Sequence, residues 1–474
     1  MRGMLSAIGL AGFLGAVSAF GGEALTVDFR KDEAPVRPEL HSSGWGPRSC
    51  PRSIVNDDAD VKAMNLRFAR THDWALVNKG QRVVDWQYVF PLPQLDAKDP
   101  ANYVFGPTDH LLKLSRDIGL EIFYRLGTSI EHTGDTHFNA LVPQDFDKTA
   151  EVFAGIVRHY NAGWANGFRW NIRYWEIWNE PDYLRAMWYE PGTNALNNVT
   201  QREKFMRFFT TCAKRIKGEF PDVKVGGPAI TRFQDWWFRQ LFEQCRKDGV
   251  TPDFISWHYY GTDPDAMVRD AEKARGLCDE FGFTTCEVIV NEWHYLKSWD
   301  GLHRNVTPEM VARTFDGPSG HHNVDSAAFT LTVLSKFQLS KCDQAYFYGC
   351  GHDGNWGYMD QYGRKNKVWY AMRLFGSLMH DGWRISTLST EGTVTAFAVR
   401  SPDGKVRKLL VTDYRGTEQV LKMRVLGADD ARRVTATVLD HTRDGSPCEV
   451  DWRGDVLTLV KPDKNSSAWL VDFE

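Results

Sequence analysis

From about residue 40 to 375, short apolar runs alternate with stretches of helical period, and this alternation limits the possible folds more than any other feature. A strand followed by an amphipathic helix, repeated many times, builds a parallel sheet covered by helices. Strands are expected at Ser42–Trp45, Leu66–Arg70, Glu121–Leu126, Tyr174–Trp178, Lys224–Gly227, Phe254–His258, Val288–Glu292 and Ala345–Tyr348. Helices are expected over 109–118, 145–161, 201–219, 235–247, 265–281, 324–339 and 367–380. Asp109 and Asp145 stand where N-caps belong, and Phe146, Ala150, Phe153, Ile156 and Val157 recur at helical spacing. Eight strands over this length fit a (β/α)8 barrel better than an open doubly wound sheet. No G-x-G-x-x-G follows a strand, which argues against a dinucleotide fold.

After about residue 381 the pattern changes to short β-like runs: Thr393–Arg400, Lys408–Asp413, Glu418–Val425, Arg433–Leu439, Val456–Val460 and Ala468–Phe473. Pro402-Asp403-Gly404-Lys405 is a turn between two of them. This region is expected to be an antiparallel β-sandwich, which Ala24–Phe29 could complete from the N-terminal side. The start of the chain reads as an export signal: Arg2, an apolar or small run over residues 4–17, then Val17-Ser18-Ala19 at the cleavage positions. The expected organisation is a signal peptide over 1–19, an N-terminal segment of the sandwich over 20–39, a barrel over 40–380 and the sandwich over 381–474. The implied location is secreted or periplasmic, with no membrane association after cleavage, because the apolar run is shorter than the ~20 residues a span needs.

A net charge of -4 offers no basic surplus for nucleic acid or an anionic membrane. Aromatic residues reach 13% of the chain, and aromatic faces bury the flat C–H faces of sugars as readily as they fill large cores. None of the eight Cys forms a C-x-x-C, so no zinc site is expected. Cys278/Cys286 and Cys342/Cys350 are possible local pairs, but spacing does not fix connectivity. Glu131, His132, Asp135 and His137 after the third strand read as a solvated or sugar-contacting loop rather than a metal site, and His321-His322 as loop rather than ligand. Trp236-Trp237 fits a sugar platform or a helix start equally well. Asn198, Asn305 and Asn465 begin glycosylation triplets.

Two strands end in a glutamate. In Tyr174-Trp175-Glu176-Ile177-Trp178-Asn179-Glu180-Pro181, strand parity places Glu176, Trp178 and Glu180 on one face, Pro181 stops the strand, and Asn179 offers an amide donor. In Val288-Ile289-Val290-Asn291-Glu292-Trp293-His294, parity places Val288, Val290 and Glu292 inward. Glu180 and Glu292 are 112 residues apart, a distance that three intervening βα units occupy. Functional groups of a barrel sit at the C-terminal ends of its strands, so the fourth and seventh strands can bring these carboxyls together. Two carboxyls, one to protonate the leaving oxygen and one to attack the anomeric carbon, are what hydrolysis of a glycosidic bond with retention requires.

The chain resembles glycoside hydrolases of clan A, and specifically family 39, which includes β-xylosidases and α-L-iduronidases. The likeness spans barrel and sandwich. Trp178-Asn179-Glu180-Pro181 is similar to the family's acid/base motif and Glu292-Trp293 to its nucleophile motif. Arg70-Thr71-His72 resembles the Arg-x-His after strand two, and His258-Tyr259-Tyr260 resembles the His-x-Tyr after strand six, whose Tyr contacts the nucleophile. Lys367–Leu374 resembles the helix that closes the barrel. The resemblance implies Glu180 and Glu292 as catalytic residues, Arg70, His72, Asn179, His258, Tyr260 and Trp293 as substrate-binding residues, a carbohydrate substrate, and no cofactor or metal. Arg125-Leu126-Gly127 departs from the family's usual Glu-Leu-Gly, and Ala345-Tyr346-Phe347-Tyr348-Gly349 from its Trp-centred motif. Exo-action of the β-xylosidase kind leads the readings. Endo-action, an iduronidase, arabinosidase or galactosidase, and a catalytically silent sugar-binding barrel are the alternatives. Oligomeric state is open at this level.

Overall fold

In the computed structural model, eight parallel strands close into a barrel in sequence order. They are β1 (Ser42–Gly44), β2 (Phe68–Arg70), β3 (Glu121–Leu126), β4 (Tyr174–Ile177), β5 (Lys224–Ile230), β6 (Phe254–Gly261), β7 (Glu287–Tyr295) and β8 (Gln344–Tyr348), which pairs back onto β1. The structure describes residues 25–44, 56–72, 82–129, 140–183, 187–190, 199–300, 302, 307–349, 356–360 and 362–474. The expected signal peptide, Trp45, Cys50, Cys350, Asn198, Asn305 and the Glu131–His137 cluster lie outside them. Among the described residues, no helix is long and apolar enough to cross a membrane.

Helices over Gly106–Asp117, Phe146–Ala162, Val199–Glu219, Asp235–Asp248, Pro264–Glu280, Val324–Phe337 and Lys367–Gly376 form the outer layer. Asp145 caps its helix by accepting the Lys148 amide at 2.9 Å. Asp109 is a correction: its helix begins three residues earlier with Pro107 in the first turn, and its carboxylate instead accepts from the Tyr160 hydroxyl at 2.9 Å.

Strand alternation sends one set of side chains into the barrel. Phe68, Phe123, Tyr174, Phe254, Ile289 and Tyr346 form a separate apolar cluster there, with Phe123 and Tyr174 rings stacked 5.5 Å apart. It fills the barrel with packed side chains and leaves no pore. One inward position further along the strands, Arg70, Glu176 and Asn291 replace the aromatics.

The C-terminal region forms two sheets, of four and seven strands, around Val27, Leu409, Val411, Val425, Leu457 and Trp469. Four strands escaped the sequence reading: Ala34–Pro35, Arg384–Glu391, Asp444–Cys448 and Asp451–Arg453. Thr26–Asp28 does join this region, but it pairs in parallel with Arg424–Leu426, so the smaller sheet is mixed rather than antiparallel throughout. All six described cysteines, including Cys278 and Cys286, are free thiols.

The backbone at the mouth departs from ideal strands, and two parity readings change. β4 stops at Ile177, and Trp178 and Glu180 take positive φ of 75° and 45°. Trp178 therefore turns away from Glu176, outward against Trp188 and Phe208. In β7 the pairing with β6 slips by one residue, from Trp257↔Val290 to His258↔Glu292. Val288 and Val290 thus pack into the core under the helices, Ile289 and Asn291 face inward, and the bulge returns Glu292 to the inside. The turn at Trp178 is possible because Gly127 lies beneath it: a Cβ on Gly127 would meet the Trp178 Cα at 2.7 Å. Gly127→Ala should therefore lower stability by about 1–3 kcal/mol, the usual range for overpacking. Denaturant unfolding should show this loss, together with reduced turnover; an unchanged midpoint would contradict the close approach.

Candidate active site

The polar layer above the aromatic floor is built around Arg70 at the end of β2. Its guanidinium is fully buried and donates to Glu176 Oε2 from Nε at 2.8 Å, to Glu292 Oε2 from Nη1 at 3.2 Å, and to Asn179 Oδ1 from Nη2 at 2.9 Å. Glu176 Oε1 accepts from Ser256 Oγ at 2.6 Å and Asn291 Nδ2 at 2.7 Å. A buried carboxylate needs this many donors, because desolvation otherwise disfavours its charge.

Glu292 lies one step further out. Tyr260 donates its hydroxyl to Oε1 at 2.5 Å, and His72 Nε2 lies 3.1 Å from Oε2. Burial opposes ionisation of Glu292, but the neighbouring His258, His72 and Arg70 outweigh it and hold the carboxyl well below the usual range. Burial also lowers His258 to about 4, so this ring is neutral at pH 7. At that pH the anion therefore rests on the Arg70 charge and on the Tyr260 and His72 contacts.

Glu180 faces the same space from β4. His258 Nδ1 stands between the two carboxyls, 2.8 Å from Glu180 Oε1 and 3.4 Å from Glu292 Oε1. Carboxylate oxygens of Glu180 and Glu292 approach within 4.8 Å. The Glu180 amide donates to Ala229 O at 2.9 Å, which fixes the turn after β4. Asn179 Nδ2 is buried with no protein partner among the described residues, a donor available to a ligand. Asp182, half-buried two residues beyond Glu180, is raised to about 6, chiefly because surrounding protein excludes water; hydrogen bonds from Thr231 oppose the shift and the Glu180 charge adds to it.

Glu180, Glu292, Arg70, His72, Asn179, His258 and Tyr260 therefore converge. Trp293 does not: it points outward, fully buried against Phe329 and Phe347, because the residue after the bulge returns to the helix side. Trp237 is likewise core, and Trp236 carries the Arg202 guanidinium over its ring. Sequence reasoning gave no role to Ser256 or Asn291. It also missed the aromatic wall in which Tyr348, Trp356 and the half-exposed Trp299 surround Tyr260 at 6.2, 5.5 and 5.1 Å between ring centres. Arg125, beside the site, is paired with Asp85 at 3.1 Å.

Glycosyl hydrolases family 39 is the family whose sequence pattern matches this chain, over residues 93–272, a span that contains Glu180 and His258 but not Glu292. A β-xylosidase of Geobacillus stearothermophilus is 27% identical over 285 residues, covering 54% of this chain and 52% of its own length. The chain thus spans about half the length of that curated relative. Among solved structures, a glucosidase from Croceicoccus marinus superposes with a TM-score of 0.72 at 20% identity, covering 95% of this chain and 98% of the other. A family 39 β-xylosidase from Caulobacter crescentus gives 0.65 at 18%, covering 96% and 100%.

The contacts of Glu292 have a measurable consequence. Tyr260→Phe removes one donor to the anion, so the Glu292 carboxyl should hold its proton to higher pH. The acidic limb of the pH–rate profile should move upward, with turnover below that limb falling about tenfold or more, the worth of a hydrogen bond to a charged group. A limb that stays in place would mean that Tyr260 does not support the charge.

Proposed function

We propose that the chain is a member of glycoside hydrolase family 39 and a retaining glycosidase with Glu292 as nucleophile and Glu180 as acid/base. The observation that carries the reading is the approach of the two carboxyls within 4.8 Å. Retaining enzymes hold their carboxyls ~5–5.5 Å apart, whereas inverting ones need ~6.5–9.5 Å to admit a water.

In the first step a Glu292 oxygen bonds to the anomeric carbon as the glycosidic C–O bond breaks, and Glu180 gives its proton to the leaving oxygen. In the second, Glu180 takes a proton from water, the water oxygen bonds to the anomeric carbon, and Glu292 leaves as the carboxylate. Glu292 is suited to the nucleophilic role because its surroundings favour the anion. Glu180 is suited to carry a proton, with the Glu292 charge close by and the His258 ring at 2.8 Å. Asn179 Nδ2 offers a hydrogen bond to a sugar hydroxyl beside the reacting carbon.

For the substrate we favour a neutral sugar and exo-action of the β-xylosidase kind, after the name of the curated relative. Arg70 is committed to Glu176 and Glu292, and Arg125 to Asp85, so neither of these guanidinium groups is left to pair with a uronate carboxylate. This disfavours the iduronidase alternative. The apolar run over 4–17 supports export to the periplasm or medium.

The test separates the two glutamates. Glu292→Ala should lose nearly all turnover across a panel of aryl glycosides. Glu180→Ala should still form the covalent intermediate from substrates with good leaving groups, and azide should restore its turnover, giving the glycosyl azide with retained configuration. Azide rescue of Glu292→Ala with retention, and a Glu180→Ala variant dead on activated substrates, would mean the roles are exchanged.

A further inference from the structure

Against Trp356 of the aromatic wall, three histidines meet. His294 follows Glu292 by two residues on the same strand; His321 and His322 come from the segment ahead of the helix at Val324–Phe337. One ring nitrogen from each lies within 4.8 Å of those of the other two. His294 and His321 are fully buried and His322 partly so. We propose that His294, His321 and His322 form a binding site for a divalent transition-metal ion of the zinc class, separate from the catalytic carboxyls.

His294 shows how such a site would be held. Its Nδ1 is 2.8 Å from the Tyr295 carbonyl oxygen, and a carbonyl only accepts, so Nδ1 carries the ring proton. Nε2 is then a bare lone pair, buried and without a hydrogen-bond partner among the described residues. An orphaned acceptor in the interior is unfavourable, because it has given up its water without gaining a donor. A ring that donates one N–H to a backbone carbonyl while presenting the other nitrogen is also how metal-ligating histidines are oriented.

The surroundings select the class of ion. Phe347 packs on His294, Phe315 on His321 and His322, and Trp356 on both His294 and His321. The three-residue group contains no carboxylate. Imidazole-only donors suit zinc, copper, nickel or cobalt, whereas calcium and magnesium require oxygen. Three nitrogens leave at least one coordination position for water.

The rings of His294 and His321 lie stacked, 4.1 Å apart and 10° from parallel. Two parallel rings cannot aim in-plane lone pairs at one point, so coordination requires the His321 side chain to rotate. Zinc–nitrogen bonds of ~2.0–2.1 Å place tetrahedral ligand atoms roughly 3.4 Å apart, against separations of no more than 4.8 Å in the cluster. The His321 amide remains anchored to Thr314 O at 2.8 Å, so side-chain rotation rather than loop displacement supplies the change. Trp356 touches His294, His321 and Tyr260, so an ion here would stiffen the wall beside Glu292.

The test must distinguish this cluster from Glu180, His258 and Glu292, whose ligand atoms also lie within 4.8 Å of one another. Metal-stripped full-length protein is dialysed against zinc and its zinc content measured, alongside Glu180→Gln, His294→Gln and His322→Gln. Cobalt in place of zinc reports ligand geometry through its absorption, and a circular-dichroism melt checks folding. We expect one zinc per chain in the wild type and in Glu180→Gln, a tetrahedral cobalt spectrum, and affinity on the order of 100-fold weaker in both histidine variants. Should His294→Gln fail to fold, His322→Gln carries the comparison from its partly exposed position. No zinc retained by the wild type, or zinc kept by the histidine variants and lost by Glu180→Gln, would overturn the proposal.

Discussion

A guanidinium taken wholly out of water must be surrounded by acceptors, and the mouth of this barrel is arranged around that requirement at Arg70. Its three donor contacts reach Glu176 and Asn179 on and after β4 and Glu292 on β7. Removing one member of such a buried charged group would cost about 3–5 kcal/mol, because the remainder is left uncompensated. One side chain thus links three strands, keeps Asn179 pointing inward and favours the anion at Glu292. Glu176 takes up the remaining charge and is satisfied by Ser256 and Asn291. The aromatic floor below keeps the layer dry, which strengthens each of these contacts.

Backbone irregularities complete the geometry. Regular parity would place Asn179 and Glu180 on opposite faces and would turn Glu292 outward if Asn291 is inward. The positive φ angles at Trp178 and Glu180 and the one-residue slip in β7 remove both conflicts. Such conformations cost of order 1–3 kcal/mol each and persist only where packing over-determines them. Here Trp178 is held by Trp188 and Phe208, Glu180 by the Ala229 carbonyl, and Asn291 by Glu176.

Much of this was legible beforehand for physical reasons. Strands buried on both faces read as apolar runs, so all eight barrel strands were found near their observed positions. Glutamates ending two of them marked Glu180 and Glu292, and the positions that resemble family motifs, Arg70, His72, Asn179, His258 and Tyr260, gather where those glutamates meet. What failed did so where the backbone leaves its period. Trp293 was placed at the site by its likeness to the nucleophile motif, although a residue that follows the inward Glu292 faces the helices, and the bulge in β7 hid Asn291. Asp109 was mistaken for a cap because its role, accepting from Tyr160, is tertiary. Trp299 and Trp356 come from segments after β7 and β8 whose return to the mouth no local pattern encodes. The nearness of His294 to His321 is likewise created only by the fold.

The central claim is that the Arg70 layer makes Glu292, and neither Glu180 nor Glu176, the group that bonds to the sugar. Activated 2-deoxy-2-fluoroglycosides form the glycosyl–enzyme bond faster than they hydrolyse it, so the intermediate accumulates and the modified peptide can be sequenced by mass spectrometry. One sugar per chain, attached to Glu292, is the predicted result. A label on Glu180 or Glu176 would contradict the account.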